Sequence, residues 1–372
     1  MIFSTSKTEL QEALQKLSKA SPTRSTLPIL GCVLIDSKED KTILKATDLE
    51  ITIVTEIPSS LEEPGVAALP MKTLLEITNE LPETRITLSV NDRNHAKIIT
   101  DLGDYSLMAR QPDDFPTALE QKGMETVSIQ GSMLKEIIDK TIFAVSRDEL
   151  KPSLTGVLFQ ISEEGITAVS TDGHRLVKHA RSDYASEKKL QDIVVPKKFL
   201  NYLSSHINKN EVRLSFNNSQ LTANVIKDTI TTRLIDEVFP NYQSVIPTDN
   251  KNRLKVDKAD LLGAIKRVSI FSNKSTHQVA LNLKKNECML TTEDPEKSSK
   301  AQEKLTADYV GEPLSIGYNA EYLKDIVSHV SGSEVIINLN TPVSAALFSS
   351  PQQEENLDVP RNPDCCSFVS SR

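Results

Sequence analysis

Apolar residues recur at helical spacing in three similar stretches of the chain. Leu10, Ala13, Leu14 and Leu17 fall at i, i+3, i+4 and i+7, which predicts an amphipathic helix near the start. The spacing returns in Leu134, Ile137 and Ile138, with Ile142 a turn on, and again in Leu261, Ala264, Ile265 and Val268. After each helix come strand-like runs and a Thr-Asp type turn: Thr47-Asp48-Leu49, Thr171-Asp172-Gly173 and Thr292-Glu293-Asp294. A second helix is predicted after each turn, over Met71 to Leu81, Lys197 to Ile207 and Glu321 to Val330. Alternating runs such as Arg85-Ile86-Thr87-Leu88-Ser89-Val90 predict half-buried antiparallel strands.

The landmarks share a period of about 124 residues, too long for a solenoid and long enough for a domain with its own core. The Phe115-Pro116 and Phe239-Pro240 pairs repeat at that period and read as extended links, because proline disfavours helix in the residue before it. The expectation is an α+β chain of three similar domains, with boundaries at 1–120, 121–247 and 248–372. Helices should pack on one face of each sheet by their apolar stripe.

Composition narrows the function. The 372 residues carry 43 Lys and Arg against 51 Asp and Glu, a net charge of -8, which excludes a uniformly basic nucleic-acid coat. Aromatic residues are 5% and Trp is absent, which argues against gripping single strands by base stacking. No apolar run is long enough to cross a membrane as a helix. The opening Met1-Ile2-Phe3-Ser4 lacks the regions of a secretion signal, so the expected compartment is the cytoplasm. Cys32 and Cys288 lie in apolar runs and are expected to be buried, while Cys365-Cys366 lies in a polar tail.

Chemistry-bearing clusters are few. His174 and His179 have no third ligand near them in sequence, so no metal or cofactor is expected. Acidic pairs such as Asp113-Asp114, Glu163-Glu164 and Glu354-Glu355 read as solvated turn residues. Phosphate-binding glycine loops and nucleophile-elbow motifs are absent, so no catalytic residue is assigned. The competing readings are a nucleic-acid-acting enzyme with dispersed metal-binding carboxylates, and a tandem-domain scaffold that never closes a ring.

Five stretches carry a resemblance: Arg24-Ser25-Thr26-Leu27-Pro28-Ile29-Leu30-Gly31, Ala46-Thr47-Asp48-Leu49-Glu50, Phe143-Ala144-Val145-Ser146, Thr171-Asp172-Gly173-His174-Arg175-Leu176 and Phe239-Pro240-Asn241-Tyr242. With them the chain resembles the bacterial DNA polymerase III beta subunit, the sliding clamp, over residues 1 to about 350. The resemblance implies three domains of the DNA clamp type, with helices lining the inside and antiparallel sheets outside. Two protomers would close head to tail into a ring around duplex DNA. Such a ring is a non-catalytic processivity factor of the polymerase holoenzyme. Its implied partners are double-stranded DNA of any sequence, a second copy of itself, the replicative polymerase, the clamp loader and other clamp-binding-peptide proteins; no membrane is implied.

The resemblance also implies sites. DNA contact falls to Arg24, Arg147, Lys151, Lys197 and Lys198, with further helix cations at Lys7, Lys16, Lys19, Lys135, Lys140, Lys266 and Arg267. Phosphate contacts carry no sequence information, which suits a sliding protein. A partner-peptide pocket is implied at Leu154, Thr171, Gly173, His174, Arg175, Leu176, Pro240, Val245 and Val343, with His174 and Arg175 at its rim. The dimer interface is implied at Tyr105 and Leu107 on one side and Ile270 and Phe271 on the other. Nearby charge is opposite in bias, with Lys72, Arg93 and Lys97 facing Glu293, Asp294, Glu296 and Glu303. Two stretches depart from the family. The loop Arg147-Asp148-Glu149-Leu150-Lys151-Pro152-Ser153 has no tyrosine, and the tail lacks the closing Met-Pro-apolar-Arg strand that completes the pocket.

Overall fold

The computed structural model describes residues 1–22, 24–38, 41–117, 123–184, 186–187 and 189–352, and the backbone of Cys366–Val369. The predicted helices form as α1 (Lys7–Leu17), α2 (Met71–Glu80), α3 (Gly131–Thr141), α4 (Lys197–His206), α5 (Lys258–Val268) and α6 (Ala320–His329). Their starts are set by side-chain caps where short polar residues precede them. Ser6 Oγ accepts from the Glu9 amide, Asp257 from the Asp260 amide, and Asn319 from the amides of Glu321 and Tyr322. The stripes Leu10, Ala13, Leu14, Leu17 and Leu261, Ala264, Ile265, Val268 are buried as their spacing predicts. Each first helix tightens into a 3-10 turn: Ser18–Ala20 after α1, Ile142–Ala144 after α3 and Ser269–Phe271 after α5. Ile142 therefore belongs to the tightened turn and not to α3.

Strands among the described residues form sheets of five, eight and twelve, and the pairings are antiparallel. The chain divides into two compact units. One is Met1–Lys135 with Asn201–Leu234, and the other is Glu136–Leu200 with Ile235–Arg372. The division follows the sheets and passes through α3 and α4. The stretch expected as one domain over 121–247 thus contributes to both units, because its outer strands are hydrogen-bonded into its neighbours' sheets.

In the first unit the join is direct. The Ile51–Pro58 strand pairs with the Asp228–Arg233 strand, with Ile53 opposite Ile230 and Thr55 opposite Asp228. Side chains pin it. The buried Asp228 carboxylate accepts from Thr55 Oγ1 at 2.5 Å and from Lys16 Nζ at 2.8 Å. In the second unit the join runs through the tail. The Cys366–Val369 strand lies between the Arg175–Arg181 and Ala346–Ser349 strands, with position 368 opposite Leu176 on one side and Leu347 on the other. The tail lacks the family's motif, yet the strand position is filled, because ladder hydrogen bonds use the backbone and tolerate a change of side chains.

The third Thr-Asp landmark does not make the expected turn. Thr292, Glu293 and Asp294 continue the Glu287–Asp294 strand, and the hairpin closes with Asp294 opposite Ser299. Thr292 Oγ1 donates across to the Gln278 carbonyl at 2.6 Å, so it holds a neighbouring strand rather than a local loop. Cys32 and Cys288 are both buried free thiols. Burial raises the Cys32 thiol above its ordinary value and pushes Cys288 up to about 12.

Candidate peptide pocket and cationic loop

The wall of the site is a turn made by its own side chains. Thr171 ends the Gly165–Thr171 strand, and its Oγ1 accepts from the Gly173 amide at 3.0 Å while donating to the Arg175 carbonyl at 2.7 Å. Asp172 Oδ1 accepts from the amides of His174 and Arg175, both at 3.0 Å. These bonds satisfy the turn's backbone, and Gly173 takes the left-handed φ of 89° that the geometry requires. The chain then runs directly into the Arg175–Arg181 strand.

Beside this turn lies a pocket of about 350 Å³. Leu154, Leu176 and Tyr242 line it and belong to a buried cluster with Leu158, Val169 and Phe239, so this lining is anchored in a core. The Tyr242 hydroxyl donates to Gln160 Oε1 at 2.7 Å. Thr171, Gly173, His174, Pro240 and Val245 also line the pocket, as does Arg175. Eight of the nine implied residues are thereby brought together. Val343 is not among them. It sits 82% exposed in a turn closed by the Ser344 amide on the Thr341 carbonyl, and Ala345 takes a place in the lining instead. Asn241 and Tyr242 were within reach of the sequence, since they stand in the quoted Phe239-Pro240-Asn241-Tyr242 run, whereas nothing local marks Ala345.

Arg175 is not a free rim charge. Only 8% of it is exposed, and its guanidinium is fully engaged. It donates to Asp172 Oδ2 at 3.1 Å, to Asp325 Oδ2 at 2.7 Å and to the Phe143 carbonyl at 2.9 Å. It also lies 4.8 Å from the Tyr322 ring centre and 5.5 Å from that of Phe143. His174 remains exposed, and its ring stacks on Tyr322 at 5.8 Å.

The implied DNA cations divide. Arg147 and Lys151 are exposed on a loop ordered by two short-range bonds: Ser146 Oγ accepts from the Asp148 amide, and Asp148 Oδ1 from the Leu150 amide. Lys197 opens α4 and is half-buried. Burial, followed by the nearby Arg147 and Arg175 cations, holds its ammonium below the usual lysine range. Arg147 and Lys197 therefore share one positive neighbourhood, with Lys198 exposed beside it. Arg24 is exposed in the other unit.

Several helix cations expected to be available are committed elsewhere. Lys16 holds Asp228, and Arg267 pairs with Glu303. Lys135 donates to the Ser204 carbonyl and hydroxyl near the end of α4. Lys140 donates to the His329 carbonyl and to Ser331 Oγ at 3.0 Å, and Lys258, a helix cation outside that expectation, to the carbonyls of Ser328 and Val330. These last lysines satisfy the unpaired carbonyls where α4 and α6 end, where positive charge is favoured. Glu303 is likewise occupied, and Asp294 is buried with its carboxylate accepting from Asn273 and the Glu296 amide, so neither offers a free charge to a partner.

Tyr105 and Leu107 lie half-buried on the Gly103–Met108 strand, the outermost of its five-stranded sheet. A second pocket of about 420 Å³ there is lined by His95, Lys97, Leu107 and Met108 among others. In the other unit, Ile270 is 76% and Phe271 45% exposed in the 3-10 turn after α5. Among the described residues, no group of three or more His, Cys, Asp or Glu is arranged to hold a metal, and no helix is long and apolar enough to cross a membrane.

Comparison with known proteins covers the same ground. Residues 1–119, 128–241 and 243–359 match the models of the N-terminal, central and C-terminal domains of the DNA polymerase III beta subunit. The beta sliding clamp of Vibrio cholerae is 28% identical over 362 residues, covering 96% of this chain and 98% of that protein. That of Bacillus subtilis is 26% identical over 366 residues, covering 95% and 97%. The crystal structure of the DNA polymerase III subunit beta of Pseudomonas aeruginosa superposes with a TM-score of 0.93 at 26% identity, covering 100% of both chains. A second structure of the P. aeruginosa clamp, bound to griselimycin, gives 0.92 at 27% identity over 100% of this chain and 99% of that one. With the repeated helices, the antiparallel sheets and the Thr-Asp-Gly-His-Arg-Leu turn in place, the chain belongs to the DNA polymerase III beta subunit family, the sliding clamps of DNA replication.

Proposed function

We propose that this sliding clamp works as a head-to-tail homodimer that encircles duplex DNA and tethers the replicative polymerase, without catalysing a reaction itself. Each protomer contributes three domains, divided at 1–120, 121–247 and 248–372. The observation that carries the partner-binding part of this reading is the pocket beside the Thr171–Arg175 turn. Its core-anchored lining of Leu154, Leu176 and Tyr242 suits the apolar anchors of a short peptide, and its mouth is polar at His174 and Asn241. The polymerase, the clamp loader and other replication and repair proteins would present that peptide. A griselimycin-bound relative supports a ligand-binding surface in the family.

Closure uses the edge of the Gly103–Met108 strand. Ile270 and Phe271 supply an exposed apolar knob, and the pocket lined by Leu107 and Met108 offers it a seat on a second copy. DNA is held by Arg24, Arg147, Lys151, Lys197 and Lys198. With Lys16, Lys135 and Lys140 committed to the fold, attraction to phosphate is weak and diffuse, as sliding demands. The working compartment is the cytoplasm.

The test is topological. The loaded chain should stay on circular duplex and run off once the circle is linearised. Equal retention on both forms rejects encirclement and favours a scaffold or an enzyme. Ile270→Ala with Phe271→Ala should reduce the solution mass at nanomolar protein to that of the 41.2 kDa protomer. Arg24→Ala with Lys197→Ala and Lys198→Ala should reduce the slope of log affinity against log salt by about 0.9 for each lost phosphate contact.

A further inference from the structure

The Arg175 guanidinium meets three separate elements. Its bond to Asp172 Oδ2 ties it to the turn, because the other oxygen of that carboxylate holds the His174 and Arg175 amides. Its bond to Asp325 Oδ2 and its place over the Tyr322 ring tie it to α6. Its bond to the Phe143 carbonyl ties it to the 3-10 turn after α3. α6 is held from the same side, since the His329 ring stacks on Phe143 at 3.9 Å. The pocket's exposed ring, His174, rests on Tyr322 of that helix. Neither Asp325 nor Tyr322 lines the pocket, and the lining of Leu154, Leu176 and Tyr242 belongs to a different cluster.

We infer that Arg175 is a positioning residue: it carries the pocket's affinity for its peptide through Asp325 and Tyr322, so that changes on α6 weaken a ligand α6 does not line. The inference deepens the peptide-binding reading and rests on it. A lysine at 175 cannot replace the planar fork, which serves two carboxylates and a carbonyl at once. When the strap is cut, the turn and the His174 ring lose their fixed position while the core-anchored lining stays. Arg175→Lys and Asp325→Asn remove the same connection, so their effects should not add.

The experiment titrates a fluorescent clamp-binding peptide containing Gln, Leu and Phe against the full chain and its variants, with thermal unfolding confirming that each is folded. Asp325→Asn and Arg175→Lys should each weaken binding about tenfold, and together no more than the larger single effect. Asp325→Glu, which keeps the carboxylate, should recover most of the affinity. Glu321→Gln, on the same helix but exposed and paired with Lys324, should bind as the parent does. Should Asp325→Asn fail to fold, Tyr322→Leu takes its place, with a loss of about threefold expected from the missing ring contacts. A folded Asp325→Asn or Tyr322→Leu that binds like the parent overturns the inference, as do additive effects of Arg175→Lys and Asp325→Asn. A parent chain that binds no peptide rejects the peptide-binding reading itself, and the inference falls with it. A parent that binds while the α6 variants are indifferent rejects the coupling alone.

Discussion

The turns at Thr47–Ile51 and Thr171–Arg175 are built alike and end in different chemistry. In both, the threonine hydroxyl accepts an amide two residues on and donates to a carbonyl four residues on. In both, the aspartate Oδ1 accepts from the amides two and three residues on: Glu50 and Ile51 in one, His174 and Arg175 in the other. The third position is left-handed in each, at φ 78° for Leu49 and 89° for Gly173. The difference lies in what fills the frame. The first turn ends in buried Ile51, which enters a sheet closed directly by the Asp228–Arg233 strand. The second ends in Arg175, whose charge organises Asp172, Asp325, Phe143 and Tyr322 beside a pocket. One local device thus serves as a sealed joint in one place and as the wall of a pocket in the other. The backbone pattern is common, and a single side chain decides the use.

The largest expected effect breaks the sealed joint alone. Asp228→Ala removes a buried carboxylate and strands Lys16 and Thr55, at a cost of about 3 kcal/mol, somewhat reduced because Lys16 is partly exposed. Chemical denaturation should show that loss, while peptide affinity stays at the parent value because Asp228 does not line the pocket. A weakened peptide would mean that the two joints are not independent. Exchanging the third positions comes next. Gly173→Leu places a side chain in the left-handed region, costing about 1–2 kcal/mol. An added Cβ there meets nothing within 4 Å, so backbone strain rather than a clash sets the cost. Leu49→Gly relieves strain at a site where Leu49 is 46% exposed and should stabilise by about 0.5–1 kcal/mol, net of the entropy glycine loses. A destabilised Leu49→Gly would show that the Leu49 side chain matters more than its backbone. An effect of comparable size sharpens the likeness: Thr47→Val and Thr171→Val should each cost about 1 kcal/mol, the worth of a local hydrogen-bonded hydroxyl. Melting curves differing by more than a few tenths of that would deny that the two hydroxyls do equal work.

Much of this was legible because it is local. Leu261, Ala264, Ile265 and Val268 announce a buried stripe by spacing. The Thr-Asp turns are readable for the same reason, since their bonds close within five residues. Thr292-Glu293-Asp294 shares the letters but lies in a hairpin whose register is set by Ser299–Val310, and that partner's register is not written locally. Arg175 is implied at the rim of the pocket, and its engagement is not readable locally, because two of the groups that bind it lie at Phe143 and Asp325, far away in sequence. Val343 is implied by the resemblance while Ala345 takes the place in the lining, and a shift of two residues in a polar turn carries no periodic signal. The Lys135, Lys140 and Lys258 contacts were hidden likewise: a lysine on a helix looks the same in sequence whether it faces phosphate or the end of another helix.

The Cys366–Val369 strand has a consequence for how the chain reaches this structure. It sits between the Ala346–Ser349 strand, which precedes it in the chain, and the much earlier Arg175–Arg181 strand, and neither can complete its ladder on that side until residues 366 onward are available. Folding of this unit therefore ends on a long-range closure that is slow in principle, since the loop entropy is lost before the contacts form. During that interval two strand edges stand open and can pair with the wrong chain. A nascent or truncated form lacking the closing strand is thus the species most prone to aggregate, and the one a chaperone would have most reason to hold.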